Sequence, residues 1–233
     1  MAPDARTQAR PPRVSALPRV HRPALAPTPL EHLRIGKVDV RTDNVYDPSP
    51  GAPLASLRRL ANRLHVRTRP GTVRNELLFQ PGDPWSTRTA EETARNLRNL
   101  DFLVPTGIAA RREADSVVVD VETRDLWTTS PELDLQTVGG TRTGAWGFSE
   151  RNLLGFGKSI IVLYRQDPTT VTRSIEYDDP NIHATHVRLS GGLGRSAEGF
   201  SRHAAVWRPF YAEETPQSWT LSAAEQTSIA HLY

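Results

Sequence analysis

The chain has 233 residues, of which 24% are charged and 37% apolar, with a net charge of +3 and no cysteine. The absence of cysteine excludes disulfide frameworks, thiol catalysis and cysteine-ligated zinc. No apolar run approaches the ~20 residues of a spanning helix, whereas a barrel strand needs only ~9–11 residues with every second one apolar, so strands stay open as a route through a membrane. The arginines are scattered and do not form a stripe with interleaved aromatics, so no nucleic-acid surface is expected.

Residues 1–32 carry Pro3, Pro11, Pro12, Pro18, Pro23, Pro27 and Pro29 among several arginines and lack the apolar core of a secretory signal. This composition predicts a disordered leader. From Leu33 to Val40, β-branched residues in alternation predict a strand, followed by a loop over Asp43–Pro53. Leu54, Leu57, Ala61 and Leu64 recur at helical spacing. Pro70 suits a first helical position, with Val73, Leu77 and Leu78 on one face before Pro81-Gly82-Asp83-Pro84 breaks the helix. Thr89 and Glu92 have the spacing of a capping box, and Ala90, Ala94 and Leu97 follow as a buried face. Phe102–Arg111 and Ser116–Glu122 read as two strands joined by the charged link Arg112–Asp115. Strand, helices and two strands over residues 33–125 predict a compact α+β domain with helices on one face of a small sheet.

After Trp127 helical periodicity stops. Leu133, Leu135 and Thr137 alternate with Asp134, Gln136 and Val138, and Ser159–Tyr164 is an apolar stretch. Val171, Ile175 and Tyr177 alternate with Thr172, Ser174, Glu176 and Asp178, and Thr185, Val187 and Leu189 with His186, Arg188 and Ser190. A lipid-compatible face opposite a polar one is the pattern of a membrane barrel with a wet lumen, although a soluble sandwich also alternates. Arg173 breaks the pattern by falling on the apolar face. Trp127, Trp146, Trp207 and Trp219 fall near expected strand ends, as in an interfacial girdle.

The run Gly147–Gly157, GFSERNLLGFG, carries Gly147, Glu150, Asn152, Leu153, Gly155 and Gly157. Its glycines permit sharp bends, and Asn152 can satisfy local backbone groups. This run resembles the first barrel hairpin of the BamA/TamA superfamily of outer-membrane assembly proteins. Tyr177-Asp178-Asp179-Pro180-Asn181 resembles the aromatic-acidic-proline turn that closes that family's next hairpin. Val73–Phe79 with Gly82-Asp83-Pro84 is similar to a helix and exit turn of a POTRA domain, the polypeptide-transport module that precedes such barrels. The resemblance implies a POTRA domain over residues 33–125 and antiparallel strands of a transmembrane β-barrel over 126–233. The residues after Asp125 suffice for about six strands of ~10 residues, so the barrel is expected to be incomplete and the chain a fragment.

Other chemistry finds little footing in the residues. His183 and His186, three apart on a strand, would point to opposite faces and could not share an ion, so turn and lumen positions are expected and no metal site. Gly191-Gly192-Leu193-Gly194 lacks the following lysine of a phosphate loop and reads as a flexible strand end. No Gly-x-Ser-x-Gly elbow occurs, and Asp178 and Asp179 diverge on a strand, so no enzyme and no cofactor are expected.

The resemblance implies an outer-membrane assembly factor whose periplasmic POTRA domain binds unfolded barrel clients. Its implied edge is the second strand, with Val104, Thr106, Ile108 and Ala110 along one side. Its implied gate is the first barrel strand, with Leu133, Leu135 and Thr137. Partners would be unfolded outer-membrane clients, the lipid bilayer and accessory periplasmic or lipoprotein subunits. A secretion pore of the two-partner type and an inactive truncated barrel remain as alternatives.

Overall fold

The computed structural model describes residues 30–46, 54–138 and 141–229. The expected leader therefore lies outside the described residues as far as residue 29, as does residues 47–53 of the expected loop. Leu30–His32 already belong to the folded part: the Glu31 carboxylate accepts from the Thr87 backbone N–H at 2.9 Å, and His32 N–H donates to the Trp85 carbonyl at 3.0 Å.

A three-stranded sheet comes first. Strands β1 (Arg34–Asp43), β2 (Leu103–Glu113) and β3 (Ser116–Asp125) lie in the order β1-β3-β2, with β1 parallel and β2 antiparallel to β3. Helices α1 (Ala55–Leu64), α2 (Pro70–Asn75) and α3 (Thr87–Arg98) occupy the crossover. The core is built from Ile35, Val38, Val73, Leu77, Phe79, Trp85, Leu97, Phe102 and Leu103 against Val117, Val119 and Val121 of β3.

Three local features depart from the simple periodic reading. Ile35 and Val38 are both buried although three apart, because the β1 register shifts between Ile35 and Lys37. Gly36 sits in that bulge, where a Cβ would lie 2.7 Å from Ser116 Oγ. Helix α3 is capped by Ser86, whose Oγ accepts from Thr89 N–H, and not by Thr89. The helix thus starts three residues earlier, directly after Trp85, whose N–H is held on the sheet by donating to the Leu33 carbonyl at 2.8 Å. Helix α1 forms at the expected place but buries no side chain; Leu57 and Leu64 are 59% and 70% exposed.

The remaining described residues form a seven-stranded antiparallel meander, β4 (Thr129–Val138), β5 (Thr141–Glu150), β6 (Ser159–Gln166), β7 (Val171–Asp179), β8 (Arg188–Ser196), β9 (Gly199–Arg208) and β10 (Trp219–Ser228). Sheet order follows chain order, with β4 and β10 as its edges among the described residues. One more strand forms than the expected six, because links such as 167–170 and 197–198 are short.

The register sorts the side chains onto two faces. Leu133 opposes Trp146, Phe148 opposes Val162, Val162 opposes Ile175, and Ile175 opposes Leu193 on the apolar face. Asp134, Ser174, Glu176, Ser190 and His203 lie on the other face, where Glu176 and His203 pair at 3.2 Å. This two-faced sheet is the build of part of a barrel wall. No helix among the described residues is long and apolar enough to cross a membrane. The expected strand residues Thr185 and Val187 lie instead in the turn before β8. Gly191–Gly194 run through the middle of β8 and are not a strand end; the Glu176 carboxylate lies across Gly192, at 2.0 Å from where its Cβ would be. Of the tryptophans expected in a girdle, Trp146 and Trp219 share the apolar face. Trp207 is on the polar face, opposite Arg188, and Trp127 lies in the link before β4, 6.4 Å from the His65 ring.

Candidate functional site

Three turns at one end of the meander press onto the small domain, and the residues of the GFSERNLLGFG run form the first. Glu150 closes β5, and its carboxylate accepts from the hydroxyls of Thr128 at 2.6 Å and Thr129 at 2.5 Å and from Asn152 N–H at 2.8 Å. Asn152 is 1% exposed. Its Nδ2 donates to Thr68 Oγ1 at 2.9 Å and its Oδ1 accepts from Gly157 N–H at 2.8 Å, so one amide closes the turn and fastens it to the small domain. Thr68 N–H in turn donates to Asp125 Oδ2 at 2.8 Å, which also meets His65 Nε2 at 2.8 Å.

The glycines serve close approach as much as bending. Gly155 has φ +79°, its carbonyl accepts from Arg69 N–H and Thr72 Oγ1, and a Cβ there would lie 2.4 Å from the Arg67 carbonyl oxygen. Gly157 has φ +68° and would place a Cβ 2.5 Å from Phe102 Cζ. Gly147, inside β5, would place one 2.8 Å from the Val162 carbonyl oxygen. Leu153 is half-buried and its N–H donates to the Lys158 carbonyl at 2.8 Å.

The second turn repeats the first. Asp179 takes the place of Glu150 and accepts from Asn181 N–H at 3.1 Å, and Asn181 Oδ1 accepts from His186 N–H at 2.7 Å. Ile182 N–H donates to the Val187 carbonyl at 2.8 Å, as Leu153 does to Lys158. Left-handed residues fall in step: Leu154, Gly155 and Gly157 in one turn, His183, Ala184 and His186 in the other. Asn181 Nδ2 reaches the Asn75 carbonyl at 2.9 Å and Glu76 Oε1 at 3.0 Å, and Lys158 Nζ ties the two turns by meeting Asp179 at 2.9 Å. Tyr177 lies within β7, two residues before Asp179, and Pro180 stands between Asp179 and Asn181.

His183 and His186 are therefore turn residues and not strand residues, and the His186 ring stacks on Tyr211 of the third turn at 4.0 Å. That third turn adds Asn96 Nδ2 to the Tyr211 carbonyl at 2.6 Å and Glu213 against Arg88 and Arg95 of α3. Burial pushes the Glu76 carboxyl up to about 7, and it pushes the His186 imidazole down, with Arg208 adding to that shift.

Among the described residues the edge strands are β1 and β2 of the small sheet and β4 and β10 of the meander. Among the described residues strand β2 pairs only with β3, and α3 lies beside it over a groove of about 530 Å³ lined by Trp85, Ala90, Ala94, Pro105 and Ile108. Val104, Thr106, Ile108 and Ala110 do not share one side. The β2 register shifts between Pro105 and Gly107, so Ile108 and Ala110 pair with Val121 and Val119 on the core face, Val104 pairs with Arg124 on the opposite face, and Thr106 is the exposed bulged residue. Strand β4 pairs only with β5 among the described residues, and Leu133, Leu135 and Thr137 do share a face, with both leucines about three-quarters exposed, at 75% and 74%. Thr68, His65 and Asp125 were not among the residues singled out in the sequence. The recurrence of acid-x-Asn-apolar at 150–153 and 179–182 is the pattern that could have revealed the paired turns.

No protein-family model matches the sequence, and no curated protein matches it. Solved structures do. The crystal structure of BamA from Haemophilus ducreyi lacking POTRA domains 1–3 matches with a TM-score of 0.51 and 16% identity, over 80% of this chain and 35% of that one. CdiB from Acinetobacter baumannii matches with a TM-score of 0.35 and 12% identity, over 84% of this chain and 39% of that one. The chain thus spans about a third of the length of the BamA structure. At this identity the BamA match speaks to the fold alone.

Proposed function

We propose that this chain is the receiving part of an outer-membrane assembly barrel, with a POTRA-like periplasmic domain that binds extended, unfolded barrel clients and a first barrel strand that templates theirs. The observation that carries the reading is that β2 and β4 both lie at sheet edges among the described residues, in one body fastened by buried turns. A free edge offers unpaired N–H and C=O groups to any extended chain, which makes binding tolerant of sequence, and the groove beside β2 offers a pocket for alternate side chains. The likeness to the BamA fold supports the same reading. It requires no catalytic group and no cofactor, since the work is strand pairing.

The test supplies an unfolded outer-membrane barrel to phosphatidylcholine liposomes with and without this chain and follows client folding by its resistance to unfolding on a gel. Accelerated folding is expected. An unchanged client rate in liposomes that carry the chain would overturn the assembly reading and leave a secretion pore or an inactive barrel segment.

A further inference from the structure

The apolar face of the meander carries a cluster of positive charge that the strand-pairing function does not use. Arg173 of β7 stands directly opposite Arg195 of β8, and Arg202 of β9 stands opposite Leu193, two residues along β8 from Arg195 on the same face. Directly opposed Cβ atoms lie ~4.5–5.5 Å apart and diagonal neighbours ~7–8 Å, and like charges facing each other across a pair destabilise it. Compensation is partial. Arg202 Nε donates to Glu225 at 2.6 Å and Arg173 lies 5.8 Å from the Tyr164 ring centroid, but among the described residues neither Arg173 nor Arg195 has a carboxylate within ion-pair distance.

These guanidinium groups border a groove of about 580 Å³ with a floor of Val162, Ile175 and Leu193, walled by the stacked rings of Trp146 and Tyr164 at 5.3 Å. Leu193 and Ile175 are 60% and 41% exposed. The groove is continuous with the apolar face that runs on to Phe148 and Leu133. Along β7 and β8 the chemistry is ordered: Ile175 and Leu193 lie nearer the small domain, Arg173 and Arg195 farther from it.

We propose that this groove binds a membrane lipid whose phosphate headgroup is net anionic, with the phosphate held by Arg173, Arg195 and Arg202 and an acyl chain laid over Val162, Ile175 and Leu193. The inference rests on the barrel reading, in which this face meets lipid. Guanidinium groups bind phosphate oxygens through paired N–H donors. Arginine is costly on a lipid-facing surface at mid-membrane and tolerated near the interface, so an anionic headgroup at this level removes both the like-charge repulsion and the burial cost. The order of floor and charge assigns the lipid to the leaflet farther from the small domain. A soluble phosphate compound would gain nothing from the floor, and an uncharged lipid nothing from the arginines.

The experiment incorporates the full chain into phosphatidylcholine liposomes containing a minority of phosphatidic acid, re-extracts it in neutral detergent and counts retained lipids by native mass spectrometry. Retention of phosphatidic acid over phosphatidylcholine by roughly tenfold, or ~1.4 kcal/mol, is expected. It should fall to parity in R173Q/R195Q, stay partly intact in R173K/R195K, and be unchanged in K37Q/R41Q, which removes the same charge from β1. Circular dichroism and R195Q alone guard against a folding defect. Parity of the two lipids in the parent chain, or undiminished selectivity in R173Q/R195Q, would overturn the site. Binding of inorganic phosphate as tight as that of the lipid would overturn its assignment to a lipid. A chain that fails to enter phosphatidylcholine liposomes at all would overturn the barrel reading, and this inference with it.

Discussion

Asn152 and Asn181 are small side chains with disproportionate work, each closing its own turn and reaching into the small domain. Replacing Asn152 by Ala leaves Gly157 N–H and Thr68 Oγ1 buried without their partner. A buried group left unsatisfied costs ~1–3 kcal/mol, so Asn152→Ala is expected to lower unfolding stability by about 2–4 kcal/mol in chemical denaturation. Gly157→Ala meets both a left-handed backbone and the Phe102 ring, and is expected to cost about 2–4 kcal/mol by the same measurement. Glu76 gives the joint a pH dependence. Its folded pKa of about 7 lies above the ordinary carboxyl value, so its contribution is full below about pH 4.5 and is lost as pH rises through 7. Glu76→Gln is therefore expected to raise stability at pH 8, on the order of 1 kcal/mol, and to flatten the melting temperature between pH 5 and 8.

At the scale of elements, burial decides what periodicity only suggests. Leu97 on α3 is fully buried, and Leu97→Ala is expected to cost about 2–5 kcal/mol. Leu57 and Leu64 show the same helical spacing on α1 but face outward, and the Leu57→Gln and Leu64→Gln variants are expected to stay within ~0.5 kcal/mol of the parent in the same melts. The order of strand, helices and strands could be read from spacing, since Val117, Val119 and Val121 fall on one side of β3 and Pro70 opens α2. What spacing could not reveal is where a strand slips phase. The bulges at Gly36 and Thr106 are set by the opposing strand, and the second separates Val104 from Ile108 although the sequence alternates through it. The Asn152 turn was legible as a motif, but its partner Thr68 lies 84 residues away and carries no local signal. The second turn reaches the same conformation with Ala184 and His186 where the first has glycines, which hid the likeness.

At the scale of the molecule, three turns lock a small α+β domain to one end of a sheet whose two faces differ in polarity, with β2 and β4 among the sheet edges of the described residues. The central claim is that those edges receive an extended client by strand pairing. Because the chain has no cysteine, one can be placed alone at Ala109 of β2 or Leu135 of β4 and scanned against single cysteines along an unfolded barrel client. Adjacent strands present alternate residues to one face, so disulfide formation should peak at every second client position. Cross-linking that is absent at both edges, or that shows no alternation along the client, would contradict it.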